Sequence, residues 1–270
     1  MITGEQATTA ARIGDLTLAC PRCRAPLVPD GDSAVRCTVE GDRFPNEDGI
    51  WCFLLPERER RLAQFMAEYA AVRRAEGRGD DDPSFYRALP FHDLTGRFVD
   101  DWRIRAVSYQ ALVNRVLPPL ETRWRRPLRI LDLGAGNCWL SYRLARRGHS
   151  VVAVDLLTDL RDGLGAYAHY DAVFTPVQAE FDRLPFADGQ ADLAIFNASL
   201  HYSPDYATTL REVLRVLAPE GQVVILDSPV YRDARSGEQM LREREAEFTR
   251  RFGFPSNSLP SEGYLTVGRL

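Results

Sequence analysis

The run Ile130-Leu-Asp-Leu-Gly-Ala-Gly-Asn-Cys-Trp-Leu140, followed by Val151-Val-Ala-Val-Asp155, decides the fold. Its first half is a short apolar strand that ends in Gly134-x-Gly136 and passes straight into a helical pattern, Trp139 to Arg147. A side chain at either glycine would obstruct the turn, or the approach of a ligand to bare backbone. Asp155 closes the next strand about 20 residues further on, where a carboxylate accepts hydrogen bonds from ribose hydroxyls. The two features describe a nucleoside crevice; the plainer alternative is a tight strand-to-helix turn with an unrelated exposed aspartate. Trp139 stands where a dinucleotide fingerprint has its third glycine, which hinders the close helix packing of a pyrophosphate site and disfavours NAD or FAD.

Outward from this stretch, apolar and helical runs alternate: Phe174 to Gln178, Leu193 to Asn197, Tyr206 to Leu217 and Val223 to Asp227. Such alternation predicts an α/β fold with a doubly wound, mostly parallel sheet. Pro176 inside the third run points to a sheet edge. The pattern predicts three zones: a small cysteine-containing β module over 1–56, a helical connector and lid over 57–127, and the sheet domain over 128–270. In the connector, helices are expected over Arg58 to Arg74 and from about Asp100 to Leu117, closed by Pro118-Pro119 and Pro127. After the fifth strand, Ser236-Gly-Glu-Gln239 reads as a capping box for a helix that stops at Gly253, and only Tyr264 to Leu270 is strand-like, so the carboxyl half is expected to be short.

The stretch Asp132-Leu-Gly134-Ala-Gly136-Asn-Cys138 resembles motif I of the class I S-adenosylmethionine-dependent methyltransferases, with Cys138 in place of the last glycine. The run Val177-Gln-Ala-Glu-Phe-Asp-Arg-Leu-Pro-Phe-Ala-Asp-Gly-Gln-Ala-Asp-Leu193 is similar to that family's third strand, acidic loop, Leu-Pro-Phe segment and fourth strand. Leu210 to Ile225 is similar to the helix, Pro-Gly turn and fifth strand that follow. The resemblance covers about Leu128 to Asp227. It implies a Rossmann-like sheet with its third strand at an edge, and a donor held by Asp132, Gly134, Gly136, Asn137, Asp155, Leu156, Glu180, Phe181 and Asn197. Glu180 falls where the family contacts adenine, Phe181 where a backbone N–H meets the ring, and Asn197 beside the methionine moiety. His201, just past the fourth strand, is the candidate general base, with packing or substrate contact as its other reading; Asp227 is an alternative, and His92 or Tyr86 would belong to a lid. The implied activity is methyl transfer to an unidentified small-molecule acceptor. The alternatives are an RNA (rRNA guanine) methyltransferase and a non-catalytic cofactor-binding protein.

Four of the five cysteines lie between Cys20 and Cys52. Cys20-Pro-Arg-Cys23 is half of a zinc knuckle and Cys37 opens the second half, but Cys37-Thr-Val-Glu40 lacks the expected fourth thiol. The segment resembles a partly degenerate zinc ribbon; Cys20, Cys23 and Cys37 are the candidate ligands, and Glu40, Asp42 or Cys52 would complete a tetrahedron. A ribbon that keeps its shape by packing alone is the other reading. Clustered thiols without a secretory pattern over Met1 to Leu18 fit a reducing, cytoplasmic setting. The longest apolar runs fall far short of the roughly 20 residues that span a bilayer, so no membrane segment is expected. A net charge of -4 argues against holding nucleic acid by bulk electrostatics, although Arg123, Arg125 and Arg126 cluster around Trp124.

Overall fold

The structure, a computed structural model, describes residues 9–254 and 259–269; residues 1–8, 255–258 and Leu270, and the parts of the expected module, leader reading and last strand that fall on them, lie outside the described residues. In chain order the elements are β1 (Arg12–Ile13), β2 (Leu16–Thr17), β3 (Leu27–Pro29), β4 (Ala34–Cys37), β5 (Arg43–Glu47), β6 (Ile50–Cys52), α1 (Pro56–Ala75), α2 (Pro83–Ala88), α3 (Val99–Ala111), α4 (Leu117–Trp124), β7 (Arg129–Leu133), α5 (Trp139–Ala145), β8 (Ser150–Asp155), β9 (Thr175–Gln178), β10 (Ala191–Asn197), α6 (Tyr206–Val216), β11 (Leu217–Leu226), β12 (Val230–Tyr231), α7 (Ala234–Phe252) and β13 (Leu265–Thr266).

Nine strands form one sheet in the order β11-β10-β7-β8-β9-β6-β5-β4-β3. From β11 to β6 neighbours run parallel; from β6 to β3 they run antiparallel. The parallel strands are buried on both faces, which is why they read as continuous apolar runs. Leu131, Leu133, Val152, Val154 and Phe196 point to the side of α6 and the amino-terminal module, whereas Ile130, Val151, Ala153, Leu193 and Ile195 point to the side of α3, α4 and α5. This alternation places Asp132 on the α5 side, where Ser141 donates to it. The architecture is the expected doubly wound α/β sheet.

The third strand, β9, is not at an edge. Strand β6 of the cysteine module pairs with it in parallel, Trp51 opposite Val177 and Cys52 opposite Gln178, and Phe53 N–H donates to Gln178 O at 2.8 Å. Pro176 is tolerated because β6 begins its ladder one residue later, so the proline has a paired neighbour only in β8. The edge lies instead at β11 on one side and β3 on the other.

Three local expectations also need correction. Pro118 and Pro119 do not end the second connector helix; a five-residue π-helical segment, Leu112–Val116, bridges α3 to α4, and the prolines fall in the first turn of α4, where a missing N–H costs least. Between β8 and β9, where the alternation of strand and helix predicts a glycine-broken helix, there is a 3-10 turn at Leu164–His169. The last helix starts at Ala234, because Asp233 caps it by accepting from Ser236 N–H, and it ends at Gly253 in the left-handed conformation as expected. No antiparallel strand follows β11 in its sheet among the described residues; β12 and β13 pair separately.

Asp192 fastens the start of β10 to the start of β7. Its fully buried carboxylate accepts from both Arg126 and Arg129 side chains and from Arg129 N–H at 2.8 Å, and these partners hold its pKa below the usual range against the effect of burial. Asp192→Ala leaves two arginines facing an emptied site and is expected to lower the unfolding free energy by about 3 kcal/mol, the lower end for a broken buried pair because both arginines reach solvent. Urea denaturation measures this; a loss below about 1 kcal/mol contradicts the role.

Candidate functional site at the strand tips

The carboxyl ends of β7, β8 and β10, with the loop after β9, open into a two-chambered cleft roofed by α1. Gly134 builds its floor. It has φ +79°, donates to Val154 O at 2.8 Å, and a Cβ on it would lie 2.2 Å from Ser199 Cβ. Only a glycine lets the loops after β7 and β10 approach this closely, and Ser199 Oγ then donates to Leu133 O. Gly136 differs: at φ +51° its missing Cβ would point into open space, and its N–H donates to Asp155 Oδ2 at 2.8 Å. Asp155 Oδ1 accepts from Leu157 N–H at 3.0 Å. Burial raises the Asp155 pKa above the usual range, opposed by the backbone N–H groups of Leu157, Gly136 and Leu156. Cys138, at the position of the last glycine in the motif this stretch resembles, adopts the left-handed conformation, φ +65°, at a strain of about 1–2 kcal/mol in a non-glycine residue. Its buried side chain packs in the core of the α5 side.

The outer chamber is bounded by Gly134, Gly136, Asp155, Leu156, Glu180 and Phe181. The inner chamber is bounded by Asp132, Asn137, Trp102, Asn197 and His201, and Tyr69, Arg73 and Tyr202 line both. All nine residues expected to hold a donor, and His201, therefore face one continuous cleft. The inner chamber collects polar atoms that lack partners: Asp132 Oδ1, Asn197 Oδ1, His201 Nδ1 and Trp102 Nε1 are buried with no hydrogen bond. Such atoms are few in folded proteins, and water or a bound group completes their bonding. Burial pushes the Asp132 carboxyl up to about 7, against the hydroxyl of Ser141 at 2.7 Å. Burial, and then the charge of Arg244, lowers His201 to about 4.

The roof helix is expected from the sequence, over Arg58 to Arg74 within the connector and lid, but the residues with which it meets the cleft are not. Arg58, Leu62, Phe65, Tyr69 and Arg73 form one helical stripe on α1, and all five line the outer chamber. The spacing is visible in the sequence, but nothing there says which surface it covers. Arg58 grips the Glu180 carboxylate through Nε and Nη2, with Nε at 2.9 Å from Oε2, so the carboxylate expected at the adenine is also the roof's first anchor. Arg73 pairs with Asp162 at the other end, and Phe65 and Tyr69 pack on Tyr202. The lid residues expected further on serve other ends: Tyr86 is buried, with its hydroxyl 2.6 Å from Asp80 O and 2.7 Å from Arg161 O, and His92 is exposed and lines neither chamber. Asp227 accepts from Ser108 Oγ and also lies outside both chambers.

Cys20, Cys23 and Cys37 meet in the amino-terminal module with their sulfur atoms within 4.8 Å of one another. Backbone N–H groups of Arg22, Val39 and Glu40 point at these sulfurs from 3.3 to 3.4 Å. Of the residues considered for a fourth ligand, Asp42 is paired with Arg22 at 2.8 Å and Cys52 points its sulfur to Ile50 O, so neither joins the cluster. The basic cluster near Trp124 is built into the fold: Arg126 is bonded to Asp192, Arg123 lies 3.6 Å from Glu220, and Arg125 ends α4 in the left-handed conformation.

Residues 131–225 match the family model described as a methyltransferase domain. The chain is similar to malonyl-[acyl-carrier protein] O-methyltransferase of Halorhodospira halophila, 36% identical over 121 residues, 44% of this chain and 41% of that protein. It is also similar to arsenite methyltransferase of Aquipseudomonas alcaligenes, 29% identical over 126 residues and covering 42% and 36% of the two chains. Demethylmenaquinone methyltransferase of Mycobacterium marinum is 33% identical over 127 residues, 43% of this chain and 53% of that one. The chain thus spans about half or less of the length of these relatives.

His201 gives this site a measurable pH signature. Its folded pKa of about 4 lies below the ordinary 6.5, so as pH falls the unfolded chain takes up the proton first. The neutral ring's contribution is intact above about pH 6.5 and is lost as pH falls toward 4, up to on the order of 3 kcal/mol. His201→Gln is expected to narrow its stability gap to the wild type, or reverse it, between pH 7 and pH 4; a gap that does not change with pH contradicts the burial of a neutral ring.

Proposed function

We propose that this chain is an S-adenosylmethionine-dependent methyltransferase acting on a small-molecule acceptor. The observation that carries the reading is the set of unpartnered buried acceptors, Asp132 Oδ1 and Asn197 Oδ1, in the inner chamber, joined to an outer chamber that ends at Asp155. These residues fit the donor. Asp155 accepts from the ribose hydroxyls with lone pairs left free by Gly136 and Leu157; Leu156 and Phe181 flank the base; Asp132 and Asn197 accept from the ammonium of the amino-acid end. Gly136 leaves open the space that a side chain would fill. When bound, S-adenosylmethionine supplies an activated methyl group whose carbon–sulfur bond breaks with its electron pair kept by sulfur. What remains for the protein is to align the acceptor and keep water out, the work of the α1 roof. His201, neutral at physiological pH, receives the proton of an acceptor that carries one. The relatives' names speak of three different acceptors, so none of them transfers to this chain. Calorimetry with S-adenosylhomocysteine tests the reading: the wild type is expected to bind, Asp155→Asn to bind at least about tenfold more weakly, and absence of binding by the wild type sinks it.

We infer that Cys20, Cys23 and Cys37 hold a structural zinc ion. Zinc–sulfur bonds of about 2.3 Å place tetrahedral sulfurs about 3.8 Å apart, a spacing compatible with the observed cluster. Backbone N–H groups facing Cys37 lower its pKa against the effect of burial, as a thiolate ligand needs. Protein purified without chelator is expected to carry about one equivalent of zinc; less than about 0.2 equivalents means that packing alone shapes the module.

A further inference from the structure

The two ends of the nine-stranded sheet are finished differently. At one end β3 is three residues long and terminates in Pro29, and Asp30 beside it accepts from Arg36 at 2.8 Å and from Arg43 at 3.0 Å. A short strand with a proline and bound charge is a blunted edge. At the other end stands β11, ten residues long. Its regular stretch, Gln222-Val-Val-Ile-Leu226, has no proline and no charge, and three of its residues are of the β-branched kind that favours strands. Leu226 O accepts from Ala198 N–H, just past β10, at 2.8 Å. Backbone groups of successive strand residues point to alternate sides, so Val224 and Leu226 bond toward β10, and the N–H and C=O of Val223 and Ile225 face away from it. No strand among the described residues receives them. Val223 to Leu226 are accordingly all half-buried, whereas Leu193 to Phe196 on β10 are fully buried. Exposed apolar side chains accompany this edge. Ile104 (57% exposed) and Val107 (63%) stand on α3, which Ser108 ties to Asp227 at the tip of β11, and Leu214 (62%) stands on α6, the helix that feeds the strand.

We propose that β11 pairs antiparallel with β11 of a second copy of this chain, about a two-fold axis through Val224, so that one sheet runs through both molecules. Val223 of one copy then exchanges N–H···O bonds with Ile225 of the other, and Val224 meets Val224 in the intervening non-hydrogen-bonded pair, with Cα atoms about 4.5 Å apart. The register is self-complementary because the two outward-facing residues stand symmetrically about Val224. Such an axis is perpendicular to the sheet and carries each face into the same face of the second copy. The α3–α4 layer therefore meets its own copy, and so does the α6 layer. This widens the contact, since the main-chain bonds of one short strand pair cover less than the roughly 800 Å² per partner of a stable interface. An extended peptide from another protein would satisfy the same backbone groups but leave Ile104, Val107 and Leu214 in water; a second copy accounts for both.

The test uses the full chain. Sedimentation velocity at about 50 μM is expected to show a dimer that dissociates on dilution. Val224→Lys sets like charges opposite each other at the axis and is expected to raise the dissociation constant at least about tenfold, and an equimolar mixture with Val224→Glu is expected to pair again. Circular dichroism and melting curves check that these variants fold, and a gentler substitution serves if they do not. With oxidised glutathione, and the wild type as control for the five native thiols, Val224→Cys is expected to form a covalent dimer. Its Cα separation of about 4.5 Å lies within disulfide reach, whereas Val223→Cys faces Ile225 and is expected to stay uncoupled. The proposal is overturned if the wild type is monomeric at about 50 μM, which leaves the edge to another protein. It is overturned equally if Val224→Lys dimerises as the wild type does, or if Val223→Cys couples as readily as Val224→Cys.

Discussion

The missing side chain at Gly134 is the constraint on which the cleft depends. With Ser199 Cβ 2.2 Å from where a Cβ would stand, the loops after β7 and β10 touch only because this position is bare. That contact brings Asp132 and Asn197, which come from strands adjacent in the sheet but distant in sequence, to the two sides of one chamber. The second glycine does a different job: a Cβ on Gly136 would meet no protein atom within 4 Å, and its bareness keeps space open in the cleft. Two residues of the same type, two positions apart, are thus required for packing in one case and for vacancy in the other.

Above this floor, α1 converts an open crevice into an enclosed one. Its apolar residues cover the outer chamber while Arg58 and Arg73 tie its two ends to Glu180 and Asp162. The ties are partly buried, so they are less screened by salt than surface pairs and hold the helix in one register. The electrostatics of the site follows from this enclosure: the depressed pKa of His201 and the raised ones of Asp132 and Asp155 all have burial as their largest cause.

The parallel sheet and the cleft floor were legible because their signals are local. Gly134, Gly136 and Asp155 sit within one strand–turn–helix–strand unit, and continuous apolar strands announce burial on two faces. What was not legible depends on contacts between distant segments. The stripe on α1 could be read as amphipathic, but its target, the Glu180 loop, lies 122 residues from Arg58. Pro176 signals a missing donor and therefore an edge, a sound inference locally that fails because the neighbouring strand, β6, is supplied from the other end of the chain and starts one residue past the proline. Pro118 and Pro119 signal a helix stop for an equally local reason; a π-helical turn before them lets the chain stay helical.

The strand β6 carries a consequence beyond filling a place in the sheet. It leaves the cysteine module, lies along β9 to within two residues of Glu180, and three residues later becomes the roof helix. Floor loop and roof thus spring from the same short ribbon of backbone. Cys37 of the thiol cluster ends β4, two strands along from β6, so the ribbon that the cysteines gather and the cleft's abutments are one continuous piece of masonry.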